Sequence, residues 1–482
     1  MGNFYTAVVS LFLLFTLSAK AEEPAFVLKL ASGNLKAIKT SSYYHVSMDL
    51  KNPVSLQLIP NIAIQTVEIS PKNNPIPFHL TDNRINFRLE KPGYHLIRIN
   101  DSIKVFIFAE KPEMVPNGAQ VINIVEKYSV DSTGRNCETE KIQLALNEIS
   151  GSEKILFFPR GNYKSGQLKI RSNSQVYLER GAVLNADTST IDTYRSSGAV
   201  KTKRFLDMDG VENVHLFGYG SVNGNGRVLR AKFGDEARMR LILATNSKNL
   251  IIEGLRLIDP GSWNTQVLLC ENVVLRSIKL LNDIHLSNTD GFDPDGSRRM
   301  SIEHCFAYCG DDNVAIKTTG YAGDPGNVED ISVKGCLFLT RKSALKIGTE
   351  TRGEWMKNIT FEDNNVVESD RGMAIYVSDG ALIENITFRN NHFEYNFPDA
   401  QQKAIHFVVS KRNIDSKLGK VKHLLLQNNF FENPFPKKSV VKYEGDEIGI
   451  DMTVDNLVIS GKKVHTPESA GIQTTNAKIS FK

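Results

Sequence analysis

The sequence predicts an all-β protein: a right-handed parallel β-helix preceded by a small β-sandwich. Three observations predict it. Residues 25–110 consist of short runs of alternating polarity, separated by turn residues at the spacing of a sandwich. Beyond residue 200 one short strand phrase, opened by Asn or Asp, recurs along the chain. Only one stretch, Thr139–Ile149, carries apolar residues at helical spacing.

Taken in order, residues 6–19 (TAVVSLFLLFTLSA) form an apolar run too short for the roughly 20 residues a membrane helix needs. The run ends in Ala19-Lys20-Ala21, so residues 1–21 read as a cleaved signal peptide and the chain as secreted or periplasmic. Residues 22–117 read as the sandwich, with Asp82-Asn83 and Lys91-Pro92-Gly93 as turns and Pro112–Gly118 as the linker. Residues 118–482 read as the β-helix, its first coil covered by the helix Thr139–Ile149, which faces inward with Ile142, Ala145, Leu146 and Ile149.

The repeat phrase begins at Asn213, Asn249, Asn272, Asp330, Asn358, Asn385, His423 and Asn456, with Met300-Ser-Ile-Glu as a weaker copy. From Asn249 the steps are 23, 28, 30, 28, 27, 38 and 33 residues. Propeller blades need about 40–50 residues, whereas a solenoid accepts variable turns around fixed strands. Asn at the turn tolerates left-handed backbone and can bond its neighbours. The two glycosylation-like triplets at Asn358 and Asn385 fall inside this phrase, which explains them better. In a solenoid, residues one coil apart lie above one another, so Cys305 and Cys336, 31 apart, are expected to stack in the interior.

Charge and cysteine content narrow the function classes. A net charge of +4 over 482 residues, with no run of five like charges, argues against nucleic acid or a membrane surface as partner. Cys137, Cys270, Cys305, Cys309 and Cys336 are too few and too irregular for a disulfide scaffold or a zinc site and read as buried free thiols.

The densest chemistry is Asn288-Thr289-Asp290-Gly291-Phe292-Asp293 followed by Gly310-Asp311-Asp312-Asn313. Asp311 and Asp312 follow Asp290 by 21 and 22 residues, about one coil, so the three carboxylates should meet on one wall. Glycoside hydrolysis uses such a set: one acid protonates the leaving oxygen, and carboxylate activates water or attacks directly. Crowded like charges keep one of them protonated. Turn-forming Asp-Gly and Gly-Asp pairs are the plainer explanation of each dipeptide alone.

From about residue 128 to 460 the chain resembles the polygalacturonase-type glycoside hydrolases, pectin-degrading enzymes on a pectin-lyase-like parallel β-helix. The resemblance rests on Phe158-Pro159-Arg160-Gly161-Asn162-Tyr163, Leu178-Glu179-Arg180-Gly181-Ala182, the glycine-rich Gly218–Gly226, Asp259-Pro260-Gly261-Ser262-Trp263-Asn264, and the NTDGFD and GDD words. It implies Asp311 as general acid, Asp290 and Asp312 as holders and activators of water, inversion of configuration, and no metal or other cofactor. It implies substrate contacts by Asn288 and Asp293, a polysaccharide or oligosaccharide as partner, no membrane after signal cleavage, and a monomer.

The chain departs from that pattern at two places. Ser343 stands where the family has its glycine-histidine-glycine histidine, and Ala374 and Tyr376 occupy the two basic positions of its arginine-isoleucine-lysine carboxylate clamp. Lys346, Glu350 and Arg371, with Tyr376, are candidates for another set of substrate contacts, Lys346 and Arg371 near one coil spacing, and Lys317, which alternates with inward Val314 and Ile316, is a candidate to face the groove. Trp263 reads as a buried packing residue, and Trp355 as a candidate sugar platform. The lost clamp leaves open a dextranase-type hydrolase of a neutral α-glucan, which shares the sandwich and β-helix order. Other classes also stay open. One is a β-helical lyase with Asp290, Asp293, Asp295, Asp311 and Asp312 around Ca²⁺; another is a glycan-binding solenoid without turnover.

Overall fold

A computed structural model of the protein describes residues 25–40, 42–196, 200–396, 403–434 and 436–482. The predicted signal segment lies outside the described residues. Among the described residues no helix is long and apolar enough to cross a membrane.

Residues 26–110 form two five-stranded sheets packed face to face. The alternation read from the sequence is the inner face: Leu28, Val46, Leu56, Leu58, Ile85, Phe87, Ile97, Val105 and Ile107 are buried in one core. Asp82 and Asn83 sit at φ 49° and 61°, joining Phe78–Thr81 to Arg84–Leu89 by the left-handed pair that a tight hairpin requires. The connection that follows is pinned rather than free. Glu113 accepts from the Tyr177 hydroxyl at 2.7 Å and from the Arg180 N–H at 2.8 Å.

The rest is a right-handed parallel β-helix. Two strands of each coil merge into a 24-stranded sheet, and the third builds an 11-stranded parallel sheet from Leu168–Lys169 to Ile472–Thr475. Coil-on-coil pairing excludes the propeller. In successive coils the repeat phrase lies at the start of one of the two strands in the larger sheet, and its first residue is left-handed every time, from Asn213 (φ 57°) through Asn249, Asn272, Asp330, Asn358, Asn385 and His423 to Asn456 (φ 59°). Their side chains form a ladder: Asn249 Nδ2 donates to Asn213 Oδ1 at 2.9 Å, Asn272 to Asn249 at 3.0 Å, Asn358 to Asp330 at 2.9 Å, and Asn385 to Asn358 at 3.2 Å. A second ladder lies in the interior, where Asn364 donates to Asn391 and Asn391 to Asn429, each at 3.0 Å. Cys305 and Cys336 stack inside as expected, with the Cys305 N–H 3.3 Å from Cys336 Sγ.

Thr139–Ile149 is helical and buries Ile142, Ala145, Leu146 and Ile149 over the first coil. It is not alone. A short helix, Ile124–Tyr128, precedes it, and Gly226–Phe233, continuous with the glycine-rich segment, forms a third with only Gly226 and Leu229 buried. Its single buried apolar side chain is why no stripe marked it. The thiol expectation also needs correcting: four cysteines are buried and free, but Cys137 is exposed.

The sandwich is docked on the β-helix by an aromatic cluster, in which Tyr43, Leu96, Phe106 and Phe108 pack against Phe306, Tyr308, Leu337 and Leu339. Charged groups ring it. Glu368 of the β-helix accepts from Arg98 and, at 2.8 Å, from Lys104, while Glu110 of the sandwich accepts from Lys279 and, at 2.9 Å, from Arg180. Removing Glu368 leaves two cations together with little water, and breaking a buried pair costs about 3–5 kcal/mol. Arg98 keeps Glu68 at 2.9 Å, which holds the loss to the lower end of that range. Glu368→Ala is therefore expected to lower stability by about 3 kcal/mol in urea denaturation. Glu90→Ala, which removes the exposed partner of Arg88, should change it by under about 1 kcal/mol.

Candidate active site

Three successive strands of the smaller sheet, Thr265–Leu268, Phe292–Asp295 and Val314–Thr318, set the floor of the site. The turns entering the second and third carry the aspartates. These turns tolerate no side chain at two places: a Cβ on Gly291 would stand 2.5 Å from the Asn313 carbonyl, and one on Gly310 would stand 2.7 Å from the Leu286 carbonyl and Thr289 Oγ1. Buried amides hold the turns in register. Asn282 Nδ2 donates to the Thr289 carbonyl at 2.8 Å, and Asn313 Nδ2 to the Leu339 carbonyl at 2.8 Å.

This brings one oxygen each of Asp290, Asp311 and Asp312 within 4.8 Å of one another. Their surroundings differ sharply. Asp312 accepts from Lys346 Nζ at 2.6 Å and from the Ser343 N–H at 2.9 Å. Burial works to raise its pKa, but Lys346 and that N–H carry it below the usual carboxylate range. Among the described residues the Asp311 carboxyl has no cation in contact and accepts from the N–H groups of Asn288 (3.2 Å) and Asp312 (3.0 Å). Burial, reinforced by Asp290 and Asp312, pushes it up to about 7. Asp290 accepts from Lys317 Nζ at 3.0 Å through Oδ2, and its Oδ1 has no partner among the described residues.

Two residues expected at the substrate lie beneath this floor. Asp293 is wholly buried and Lys317 is only 3% exposed. Lys317 Nζ lies 2.7 Å from Asp293 Oδ1 while bonded to Asp290, and the two carboxylates outweigh burial and raise its pKa. The alternation placed Lys317 on the outer face of the sheet, opposite inward Val314 and Ile316, but that face is roofed here by Trp263. Trp263 is 7% exposed, as its packing role required, with Arg240 (3.9 Å to the ring centroid) and Lys317 (3.4 Å) against its ring. Tyr321, 41% exposed, stacks on Trp263 with centroids 6.0 Å apart. Trp355 sits on a strand of the larger sheet, capped by Lys357, and not among these residues.

The other candidates line the next coils. Arg371 pairs with Asp370 at 3.1 Å and donates to Ser343 Oγ at 2.9 Å, so the serine in place of the histidine is occupied. Lys346 Nζ lies 5.6 Å from the Tyr376 ring centroid. Glu350 faces Arg412 at 3.8 Å, and Arg412 itself is held by Asp379. Asn288 is half-buried and bonded to Arg238. Ala374 is fully buried. Two residues were missed. His406, one coil beyond Ala374 in register, lies 2.6 Å from the Tyr376 hydroxyl, and burial, with Lys403 and Arg371, lowers its pKa to about 4, so it is neutral. Arg238 comes from the helical insertion. Its spacing to Asn288, near two coils, was the available signal for it.

Residues 150–396, just over half of the chain, match the family model of Glycosyl hydrolases family 28, and the chain belongs to that family. It is 26% identical over 284 residues to a probable polygalacturonase of Vitis vinifera, a match covering 53% of this chain and 57% of that one. It is 26% identical over 285 residues to an endo-polygalacturonase of Pectobacterium carotovorum subsp. carotovorum, covering 52% of this chain and 69% of that one. The match thus spans a little over half of the length of the grape relative. Among solved structures, the Yersinia enterocolitica family 28 exopolygalacturonase shares the fold at a TM-score of 0.59 and 15% identity, covering 93% of this chain and 98% of that one.

Because the folded pKa of Asp311 lies above its ordinary value, its contribution to stability is fully present below about pH 4 and is lost as pH rises through about 7. Asp311→Asn should therefore be more stable than the parent in urea denaturation at pH 8, with a smaller gain at pH 5. A purely structural aspartate would give a loss at both.

Proposed function

We propose that the protein is a secreted glycoside hydrolase that cleaves a pectin-like polysaccharide by acid/base catalysis. The observation that carries this reading is the splitting of adjacent carboxylates into a proton-holding acid and an ionised carboxylate. Asp311 keeps a proton to about pH 7, and Asp312, its sequence neighbour, is ionised well below that. Environments that drive carboxyl groups apart in this way separate the acid of a glycosidase from the carboxylates that work with it. Family membership and the similarity to polygalacturonases support pectin-like substrates.

In this reading Asp311 protonates the leaving glycosidic oxygen. Asp290 takes the attacking water's proton on its unpartnered Oδ1, and Asp312, with both oxygens engaged, supplies negative charge to the same water and to the developing cation at the anomeric carbon. The carboxyl oxygens lie within 4.8 Å, whereas inverting pairs usually stand about 6.5–9.5 Å apart. Inversion is favoured nonetheless, because Lys346 and Ser343 hold both oxygens of Asp312 and Lys317 holds one of Asp290, which blunts either as an attacking group. The alternative calcium-lyase reading is disfavoured by Lys317 and Lys346, which already neutralise the carboxylates that a divalent cation would need.

Hydrolysis of polygalacturonate, xylogalacturonan and rhamnogalacturonan, followed by reducing-end release, tests the substrate. Asp311→Asn is expected to lower kcat by about 10²- to 10⁴-fold with little change in KM. Proton NMR in the first minutes of cleavage of an α-linked substrate should show the β-anomer. An initial α-anomer would establish retention, and no release from any glycan, or release unchanged in Asp311→Asn, would end the proposal.

A further inference from the structure

Arg230 lies in the last turn of the helix Gly226–Phe233, and Arg238 follows the 3-10 turn Gly234–Ala237. Both reach the turn that enters the site. Arg230 donates to the Ser287 carbonyl at 2.9 Å and lies 3.5 Å from Ser287 Oγ, and Arg238 donates to Asn288 Oδ1. The Asn288 N–H in turn donates to Asp311. Arg238 therefore stands one residue removed from the proposed general acid, and Arg230 holds the residue before Asn288.

Charge pairing sets these two apart from the cations beside the aspartates. Lys317 is held by Asp290 and Asp293, Lys346 by Asp312, and Arg371 by Asp370. Among the described residues Arg230 has no carboxylate within ion-pair distance, and the one facing Arg238 is Asp235, 3.9 Å away with its side chain 87% exposed. Burial and then the charge of Arg238 lower the pKa of Arg230, so the pair holds like charges close together at a half-buried, accessible place. An anion would relieve that repulsion. Guanidinium groups present planar donors that fit a carboxylate two bonds at a time. Neutral sugar hydroxyls would take the hydrogen bonds but leave the repulsion.

We propose that Arg230 and Arg238 form a carboxylate-binding subsite on the N-terminal side of the aspartates, which grips a uronate ring of the glycan in place of the basic pair missing at Ala374 and Tyr376. The subsite rests on the glycosidase reading and deepens it by naming the charged sugar and where it is held. It comes from an insertion in the coil wall, two coils before Asn288.

The test separates binding from turnover. Trigalacturonate and its carboxyl-reduced counterpart are titrated calorimetrically into Asp311→Asn protein, and into the same protein carrying Arg230→Ala, Arg238→Ala or both, with thermal midpoints checked for each. The expected result is an affinity for trigalacturonate lowered about 10- to 100-fold by each single substitution, with Arg238→Lys losing less than Arg238→Ala and the carboxyl-reduced trimer unaffected throughout. Unchanged trigalacturonate affinity in the double variant would overturn the subsite and leave the glycosidase reading standing. So would a parent that binds and cleaves only neutral glycans. Equal losses on both trimers would mark the arginines as general structure and overturn it as well. A parent that cleaves no glycan would instead sink the underlying reading, and the subsite with it.

Discussion

Three carboxylates with oxygens inside 4.8 Å can coexist only if charge around them is settled first, and much of this structure can be understood as that settlement. At an effective dielectric of about 20, two unit charges at that range repel by several kcal/mol. The protein meets the repulsion with two lysines from below and beside, Lys317 and Lys346, and with a proton retained on Asp311. That proton is the chemistry. Remaining charge balance falls to Arg240, buried against Trp263, and to Asp293, buried against Lys317.

The β-helix makes such crowding possible. Parallel strands stack about 4.8 Å apart, so residues a coil apart in sequence are forced into contact, and the asparagine ladders lock that register from outside and within. The sandwich adds a fixed flank. Its aromatic cluster meets Phe306 and Tyr308 on the strand immediately preceding Gly310, and the Ser42 hydroxyl lies 3.3 Å from His285 Nε2, on the turn leading to Asn288.

Much of this was legible in the sequence, for physical reasons. The left-handed turn demands Asn or Asp, so the repeat phrase marked each coil, and coil spacing then brought Asp290, Asp311 and Asp312 together. The alternation of Val314-Ala315-Ile316-Lys317 also gave the facing of Lys317. It could not show that Trp263 closes over that face, because the roof comes from two coils away, and so Lys317 was assigned to substrate, as Asp293 was through the family resemblance. His406 escaped because its coil step is lengthened by an insertion, and Tyr376, its partner, was read as a substrate contact at a lost basic position and not as one half of a pair. The helix Gly226–Phe233 escaped because it buries one apolar side chain, and with it went Arg230 and Arg238.

The central claim is the division of charge between neighbouring aspartates. Carbon-13 NMR titration of carboxyl-labelled aspartate in the resting protein tests it most directly. One resonance titrating near pH 7, absent from Asp311→Asn protein, together with an Asp312 resonance that stays ionised below the usual carboxylate range, is the predicted result. An Asp311 that titrates near pH 4, in step with the surface aspartates, would contradict it.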